Sequence, residues 1–110
     1  MSIEQLDVVD AVGVDVVSGN VVLTISDHLG WEAEDEHVAL LREKLNSYLR
    51  FVESGELVES YPAAELRKVV VDIVGRVEPS GAGRVFLENA KRTVAQAGLE
   101  LRFRVLREPT

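Results

Sequence analysis

The sequence predicts an α+β fold, a two-layer sandwich in which two helices cover one face of a four-stranded sheet, in the order ββαβαβ. Two valine-rich runs near the start predict a β-hairpin, because β-branched residues favour extended chain. Two stretches with apolar residues at three- and four-residue spacing predict helices. A third valine-rich run and a final run that alternates apolar and polar residues supply the remaining strands.

The first predicted element is a hairpin formed by residues 8–17 and 21–26. Ser18-Gly19 is the expected two-residue turn, which pairs Val17 with Asn20. This register opposes three aliphatic pairs on one face, Val12 with Ile25, Val14 with Leu23 and Val16 with Val21. It also places Asp10 opposite Asp27 on that face, near the end of the sheet.

The remaining elements follow from periodicity and from their stop signals. Their predicted bounds are a helix over residues 33–54, a connection over 56–67, a strand over 68–77, a helix over 81–97 and a strand over 99–106. Gly55 and Gly98 end the helices, and Ser80 is the expected N-cap of the second one. If the last two strands are neighbours, their crossover is expected to be right-handed and parallel. The place where the hairpin joins them is left open.

Composition and charge predict a single domain without disulfides that binds neither nucleic acid nor a membrane. The chain has 110 residues, 46% of them hydrophobic, so residues 1–110 are expected to form one domain, with residues 1–4 and 107–110 as flexible tails. The absence of cysteine excludes disulfides and cysteine-ligated metals. A net charge of −7 disfavours nucleic acid, and no run is apolar enough for a membrane. We expect a cytoplasmic protein that binds neither.

One face of the predicted sheet has no helix layer. Its small, aliphatic and basic side chains are typical either of a solvated face or of a contact surface. The residues of this candidate interface are Val9, Ala11, Val70, Val74, Arg102 and Arg104. Because two-fold dimers are the commonest soluble oligomers, a homodimer or another protein partner is expected there.

The segment after the hairpin holds the residues best suited to ligand chemistry. The candidate ligand-binding residues are Asp10, Asp27, His28, Trp31 and Glu32. Paired carboxylates such as Asp10 and Asp27 can share a proton or hold a cation, although such groups more often accept hydrogen bonds from backbone amides. His28 and Glu32, with Asp35 and His37 nearby, match no metal-binding spacing, so no metal and no cofactor is predicted.

No complete catalytic set is present, and the catalytic residues stay unassigned. Ser26-Asp27-His28 has the residue types of a triad, but consecutive strand residues point to opposite faces. Gly81-Ala82-Gly83 lies between a strand and a helix, yet it lacks the rest of a phosphate-binding loop.

One pattern of residues resembles a small bacterial domain family of unknown function. It comprises Ile25-Ser26-Asp27-His28-Leu29, Trp31-Glu32, His37, Leu41, Lys44, Tyr48, Phe51, Glu53-Ser54-Gly55-Glu56 and Tyr61-Pro62. The resemblance implies a bacterial cytosolic protein and supplies no activity. The favoured function is a non-enzymatic protein-interaction module. The alternative is a small-ligand or divalent-metal-binding domain, or an enzyme, that uses residues 27–32.

Overall fold

The computed structural model describes residues 11–106, which form a mixed α+β structure with a four-stranded open sheet and three helices. The elements are β1 (Ala11–Val14), β2 (Val21–Asp27), α1 (Glu34–Glu53), α2 (Glu56–Ser60), β3 (Val69–Gly75), α3 (Gly81–Gln96) and β4 (Glu100–Val105), with a 3-10 turn at Pro62–Ala64. The predicted order ββαβαβ therefore lacked α2, which lies in the stretch predicted as a connection.

The strands lie side by side in the order β1-β2-β3-β4. β1 is antiparallel to β2, whereas β2, β3 and β4 are parallel to one another. The predicted parallel pairing of the last two strands is confirmed. The structure also decides where the hairpin joins, because β2 pairs with β3 from Val21 opposite Val69 to Asp27 opposite Gly75. With a neighbour on each side, β3 is buried along almost its whole length.

The predicted register of the hairpin is wrong by two residues. Val12 lies opposite Leu23 and Val14 lies opposite Val21, instead of opposite Ile25 and Leu23. Side chains alternate along a strand with a period of two, so a two-residue shift leaves each side chain on its predicted face. The predicted pairing of Asp10 with Asp27 depended on the register that is wrong. Asp10 itself lies outside the described residues.

A longer loop than predicted causes the shift. The Asp15 N–H donates to the Asn20 carbonyl oxygen over 2.9 Å, so four residues, not Ser18-Gly19 alone, form the loop. The Asp15 carboxylate accepts the N–H groups of Val17 at 2.8 Å and Ser18 at 3.1 Å. Such bonds favour a side-chain-closed turn over the two-residue turn. Val16 and Val17 are consequently 97% and 93% exposed, and neither joins the core.

The two long helices match their predictions closely. α1 begins one residue later and ends one residue earlier than predicted, and α3 ends one residue earlier. The Ser80 hydroxyl accepts the Gly83 N–H over 3.2 Å and caps α3 as predicted. Gly55 and Gly98, the predicted stops, have the left-handed φ values of +88° and +86°.

The core is formed by the odd-numbered side chains of the parallel strands and by one stripe of each long helix. Its members include Val21, Leu23, Ile25, Val71, Ile73, Leu101, Leu41, Leu45, Tyr48, Leu87 and Val94. β3 ends at Gly75, two residues before its predicted end, and Val77 is partly exposed. None of the helices within residues 11–106 combines the length and apolar character that crossing a membrane requires.

The hairpin loop yields a prediction about pH. The N–H groups of Ser18 and Val17 hold the pKa of Asp15 below its ordinary value of 3.8. The carboxylate therefore stabilises the folded chain above that value, and its contribution disappears as the pH falls through the lowered folded-state pKa. We expect Asp15→Ala to lower the urea midpoint at pH 7 and to have little effect at the acid limit of folding. A midpoint difference that is independent of pH would contradict this account.

Candidate functional site

A buried hydrogen-bonded pair of side chains joins the end of β2 to the first turn of α1. His37 Nε2 lies 2.6 Å from Asp27 Oδ2, and both side chains are only 2% exposed. The other imidazole nitrogen, Nδ1, donates to the Gly30 carbonyl oxygen over 2.8 Å. The second carboxylate oxygen of Asp27 accepts the Leu29 N–H at 3.2 Å. One carboxylate and one imidazole thereby fix both ends of the loop between β2 and α1.

The protonation of this pair follows from its partners. A carbonyl oxygen accepts but cannot donate, so His37 Nδ1 must carry a hydrogen. A second proton lies between Nε2 and the Asp27 carboxylate, because two unprotonated acceptors would repel each other at 2.6 Å. Both ring nitrogens and both carboxylate oxygens are thus engaged within the chain.

Trp31 extends the same cluster to α3. Its ring stacks on His37 with 3.6 Å between centroids and 19° between planes. Its far edge lies against Gly83, where an added Cβ would come within 2.7 Å of the indole. Glu34 adds a polar link, because its carboxylate accepts the Ser80 hydroxyl hydrogen over 2.6 Å. We call Asp27, Trp31 and His37 the Asp27 clamp, since they hold β2, α1 and α3 together.

The clamp lies at the edge where parallel sheets bind ligands, but the hydrogen-bonding groups of Asp27 are already used within the chain. Outside the carboxyl ends of β2, β3 and β4 is a cleft of about 740 Å³. Asp27 contributes to its wall, together with Ser26, His28, Arg76 and Leu106. Because the oxygens of Asp27 already accept hydrogen bonds from the chain, this carboxylate is a structural group first.

The predicted ligand-binding residues therefore do not form one site. Asp27 and Trp31 come together in the clamp, whereas His28 and Glu32 are exposed beside it. Asp10 lies outside the described residues. Within residues 11–106, no group of three or more histidines and acids is arranged to hold a metal ion.

A second polar cluster lies on the opposite face of the sheet. Asp72 of β3 is buried, with 2% exposure. The residue beside it on β4 is Arg102. Arg104 Nε donates to Asp72 Oδ2 over 3.0 Å, and Arg102 Nη2 lies 3.8 Å from the same oxygen. Asp72 Oδ1 accepts no hydrogen bond from the part of the chain that the structure describes. We call Asp72, Arg102 and Arg104 the outer-face cluster.

Only part of the predicted interface presents accessible surface. Arg102 and Arg104 are exposed and meet at Asp72, and Ala11 is also exposed. Val74 is half-buried, while Val70 is only 1% exposed. Val9 lies outside the described residues. The accessible part of the predicted surface is therefore concentrated at β4.

The sequence did not predict that three polar side chains, those of Asp72, His37 and Lys44, would be buried. The sequence did not single out Asp72, and it placed His37 only among histidines and acids that match no metal-binding spacing. Lys44 is fully buried, with Nζ 5.6 Å from the centre of the Tyr48 ring. Two of the three had a signal: Asp72 interrupts a valine run, and Lys44 sits at helical spacing among the core residues of α1.

A family model matches residues 1–107 and describes a family of unknown function, DUF6572. The chain belongs to DUF6572. The predicted membership of a family of unknown function is thus confirmed. Comparison with curated proteins and with solved structures finds no match. The function of this DUF6572 chain must therefore be inferred from its geometry.

The Asp27 clamp should contribute strongly to stability. His37→Ala would leave the buried Asp27 side chain without its hydrogen-bond partner, which typically costs about 1–3 kcal/mol, and more if the group is charged. The paired change Asp27→Asn with His37→Gln retains uncharged hydrogen-bonding groups, so we expect a smaller loss. Urea unfolding at pH 7 measures both variants. A loss below about 1 kcal/mol for His37→Ala would contradict the proposed role of the His37–Asp27 hydrogen bond.

The contact between Trp31 and α3 can be tested with two glycines of the same helix. An added Cβ at Gly83 would meet the Trp31 ring at 2.7 Å, whereas at Gly81 it would meet nothing within 4 Å. We expect Gly83→Ala to destabilise the chain by about 1–3 kcal/mol through overpacking. Gly81→Ala is the matched control and should be neutral or slightly stabilising. Equal stabilities of the two variants would show that Trp31 does not pack there.

Proposed function

We propose that this chain is a non-enzymatic protein-interaction module that binds an extended segment of a partner by strand addition at β4. The observation that carries the proposal is the edge position of β4: among residues 11–106, β3 is the only strand that pairs with it. An unpaired edge presents a row of backbone donors and acceptors that another chain can complete.

The free backbone groups of β4 can be identified from the ladder. The Leu106 N–H donates to the Gly75 carbonyl oxygen, so the even-numbered residues of β4 direct their N–H and C=O groups toward β3. The odd-numbered residues therefore direct theirs away from β3. Leu101, Phe103 and Val105 supply three donors and three acceptors to an incoming strand.

The outer-face cluster supports recognition beside this edge. Arg104 and Arg102 are exposed, yet the buried Asp72 carboxylate holds one nitrogen of Arg104 in a hydrogen bond and attracts Arg102. An anchored guanidinium loses less side-chain entropy on binding than a freely rotating one. The remaining donors of the two arginines can meet polar or acidic side chains of a partner.

The layering of the chain supports access to this face. The crossovers from β2 to β3 and from β3 to β4 advance in the same direction along the sheet. Since such crossovers are almost always right-handed, we infer that α1 and α3 cover the same face. The outer-face cluster then lies on the side without long helices.

The alternative function, a small-ligand or metal site at residues 27–32, has weaker support. Its central group, Asp27, has both oxygens engaged by Leu29 and His37. His37 has both nitrogens engaged as well. A ligand at this place would have to displace bonds that fix the start of α1.

A proline at the free edge tests strand addition. The Val105 N–H points away from β3, so Val105→Pro should leave the β3–β4 ladder intact while removing a donor and blocking approach. Peptides selected against the wild-type chain from a library of linear sequences serve as ligands. We expect Val105→Pro to weaken binding by about 1 kcal/mol or more, and Val105→Ala to have a smaller effect. Equal affinity of the two variants for the selected peptides would argue for another surface.

Amide hydrogen exchange of the unbound monomer tests the same premise without a ligand. The amides of Leu101, Phe103 and Val105 should exchange quickly, and those of Arg102 and Arg104 slowly, because only the latter face β3. Slow exchange at all five positions would mean that the edge is already covered, and it would overturn the proposed function.

A further inference from the structure

We infer that the strand added at β4 is β4 of a second copy of this chain, in an antiparallel two-fold pair centred on Arg102. This inference rests on the proposed function and names its partner. It follows from the parity of the free backbone groups, the order of charges along β4, and the unsatisfied oxygen of Asp72.

The direction of the backbone N–H and C=O groups along β4 restricts the registers in which a second copy can pair. In an antiparallel pair, the residues that exchange hydrogen bonds must both direct their N–H and C=O groups toward the partner. Only the odd-numbered residues of β4 do so. A two-fold pair must therefore place odd residues opposite odd residues, which puts the axis at a residue of the strand. Only axes at Arg102 and Phe103 overlap five strand residues.

Charge distinguishes these registers. An axis at Phe103 would place Arg102 opposite Arg104 of the second copy, twice, with like charges facing each other. An axis at Arg102 places Glu100 opposite Arg104 of the second copy, again twice, with opposite charges facing each other. An axis at Leu101 also opposes unlike charges, but it overlaps only the first three residues of β4. The Arg102 axis also sets Arg102 opposite Arg102 of the second copy once, so it has two unlike-charge pairs and one like-charge pair, whereas the Phe103 axis has two like-charge pairs. Of the two registers that overlap five strand residues, the Arg102 axis therefore has the more favourable charges.

The side chains near the Arg102 axis fit the same arrangement. On the face toward the core, Leu101 would lie opposite Phe103 of the second copy, so the half-buried phenylalanine gains an apolar neighbour. On the outer face, the two Arg102 guanidinium groups approach each other, and each lies 3.8 Å from its own Asp72. The two Asp72 carboxylates, each with a buried oxygen that accepts no hydrogen bond within residues 11–106, offset part of the repulsion between these guanidinium groups through their negative charge.

The main competing occupant is an acidic extended segment of another protein. The exposed side chains of β4 carry one negative and two positive charges, and Lys91 of α3 lies beside the same edge. Such a segment would satisfy the arginines but would oppose Glu100. The self-pair instead gives each Glu100 a cationic neighbour, Arg104 of the other copy, and for that reason it is the occupant we propose.

Charge reversal tests the register directly. Glu100→Arg places arginine opposite Arg104 of the second copy, and Arg104→Glu places glutamate opposite Glu100, so each variant alone should dimerise at least about tenfold more weakly. Mixing the two variants restores opposite charges at both positions, and the mixture should form a heterodimer. Sedimentation velocity from micromolar to millimolar concentration measures association, with the wild type expected to reach twice the 12.1 kDa of one chain.

Matched controls separate the pairing from general charge effects. Glu59→Arg makes the same charge change on α2, away from the sheet, and should dimerise like the wild type. Glu100→Arg also removes the exposed ion pair with Lys68, 3.0 Å long, so thermal unfolding of each variant checks that the fold is retained.

The outcomes distinguish this inference from the proposed function. A wild-type chain that stays monomeric at millimolar concentration while its odd-numbered β4 amides exchange quickly overturns self-pairing and leaves strand addition by a different protein. A dimer that persists unweakened in both charge-reversed variants associates through another surface, which also overturns self-pairing. Failure of the mixture to associate, when the wild type does, overturns the register.

Discussion

Both β2 and β4 pair in parallel with β3, and the rest of the structure depends on this central position. A strand with parallel neighbours on each side must be connected to them by crossovers, which here contain α1 and α3. A central parallel strand is also covered on both faces and is therefore mainly apolar, as the valine run of β3 is. Its one acid, Asp72, is buried as a result and requires cations from the adjacent strand.

The two buried acids illustrate two ways in which a small domain satisfies a carboxylate. Asp27 sits at a strand end, where a histidine and a backbone N–H complete its hydrogen bonds. Asp72 sits in the middle of the sheet, where only long side chains from β4 can reach it. The first arrangement is closed within the chain. The second leaves one Asp72 oxygen without a hydrogen-bond partner among residues 11–106 and holds two exposed guanidinium groups beside it, which is why we propose it for intermolecular contact.

Charged side chains usually protect an edge strand against association. Protection works best when the charges have one sign, because any identical edge then repels. The order of charges in β4 is negative, positive, positive, and an antiparallel copy can match the first with the last. The same residues that discourage indiscriminate aggregation thus permit one register. Specificity of this kind arises from opposing the wrong alignments as well as from favouring the right one.

Local signals in the sequence determined the two long helices and the existence of every strand. Apolar spacing, Ser80 at the start of α3 and the glycines after each long helix act over a few residues, so they could be read without the fold. The α2 helix was missed because five residues give too little periodicity to identify it. The hairpin register was missed because the Asp15 side chain, rather than the Ser18-Gly19 pair, closes the loop.

Only the tertiary structure decided which residues form the two polar clusters. His37 meets Asp27 because α1 starts directly beyond the end of β2, and Arg104 meets Asp72 because β4 lies beside β3. Neither neighbour relation is encoded by spacing along the chain. The stretch from residue 27 to residue 32 attracted attention in the sequence through its residue types, while the exposed edge of β4 depends on strand order. Strand order is set by the packing of the whole core, and a local pattern cannot specify it.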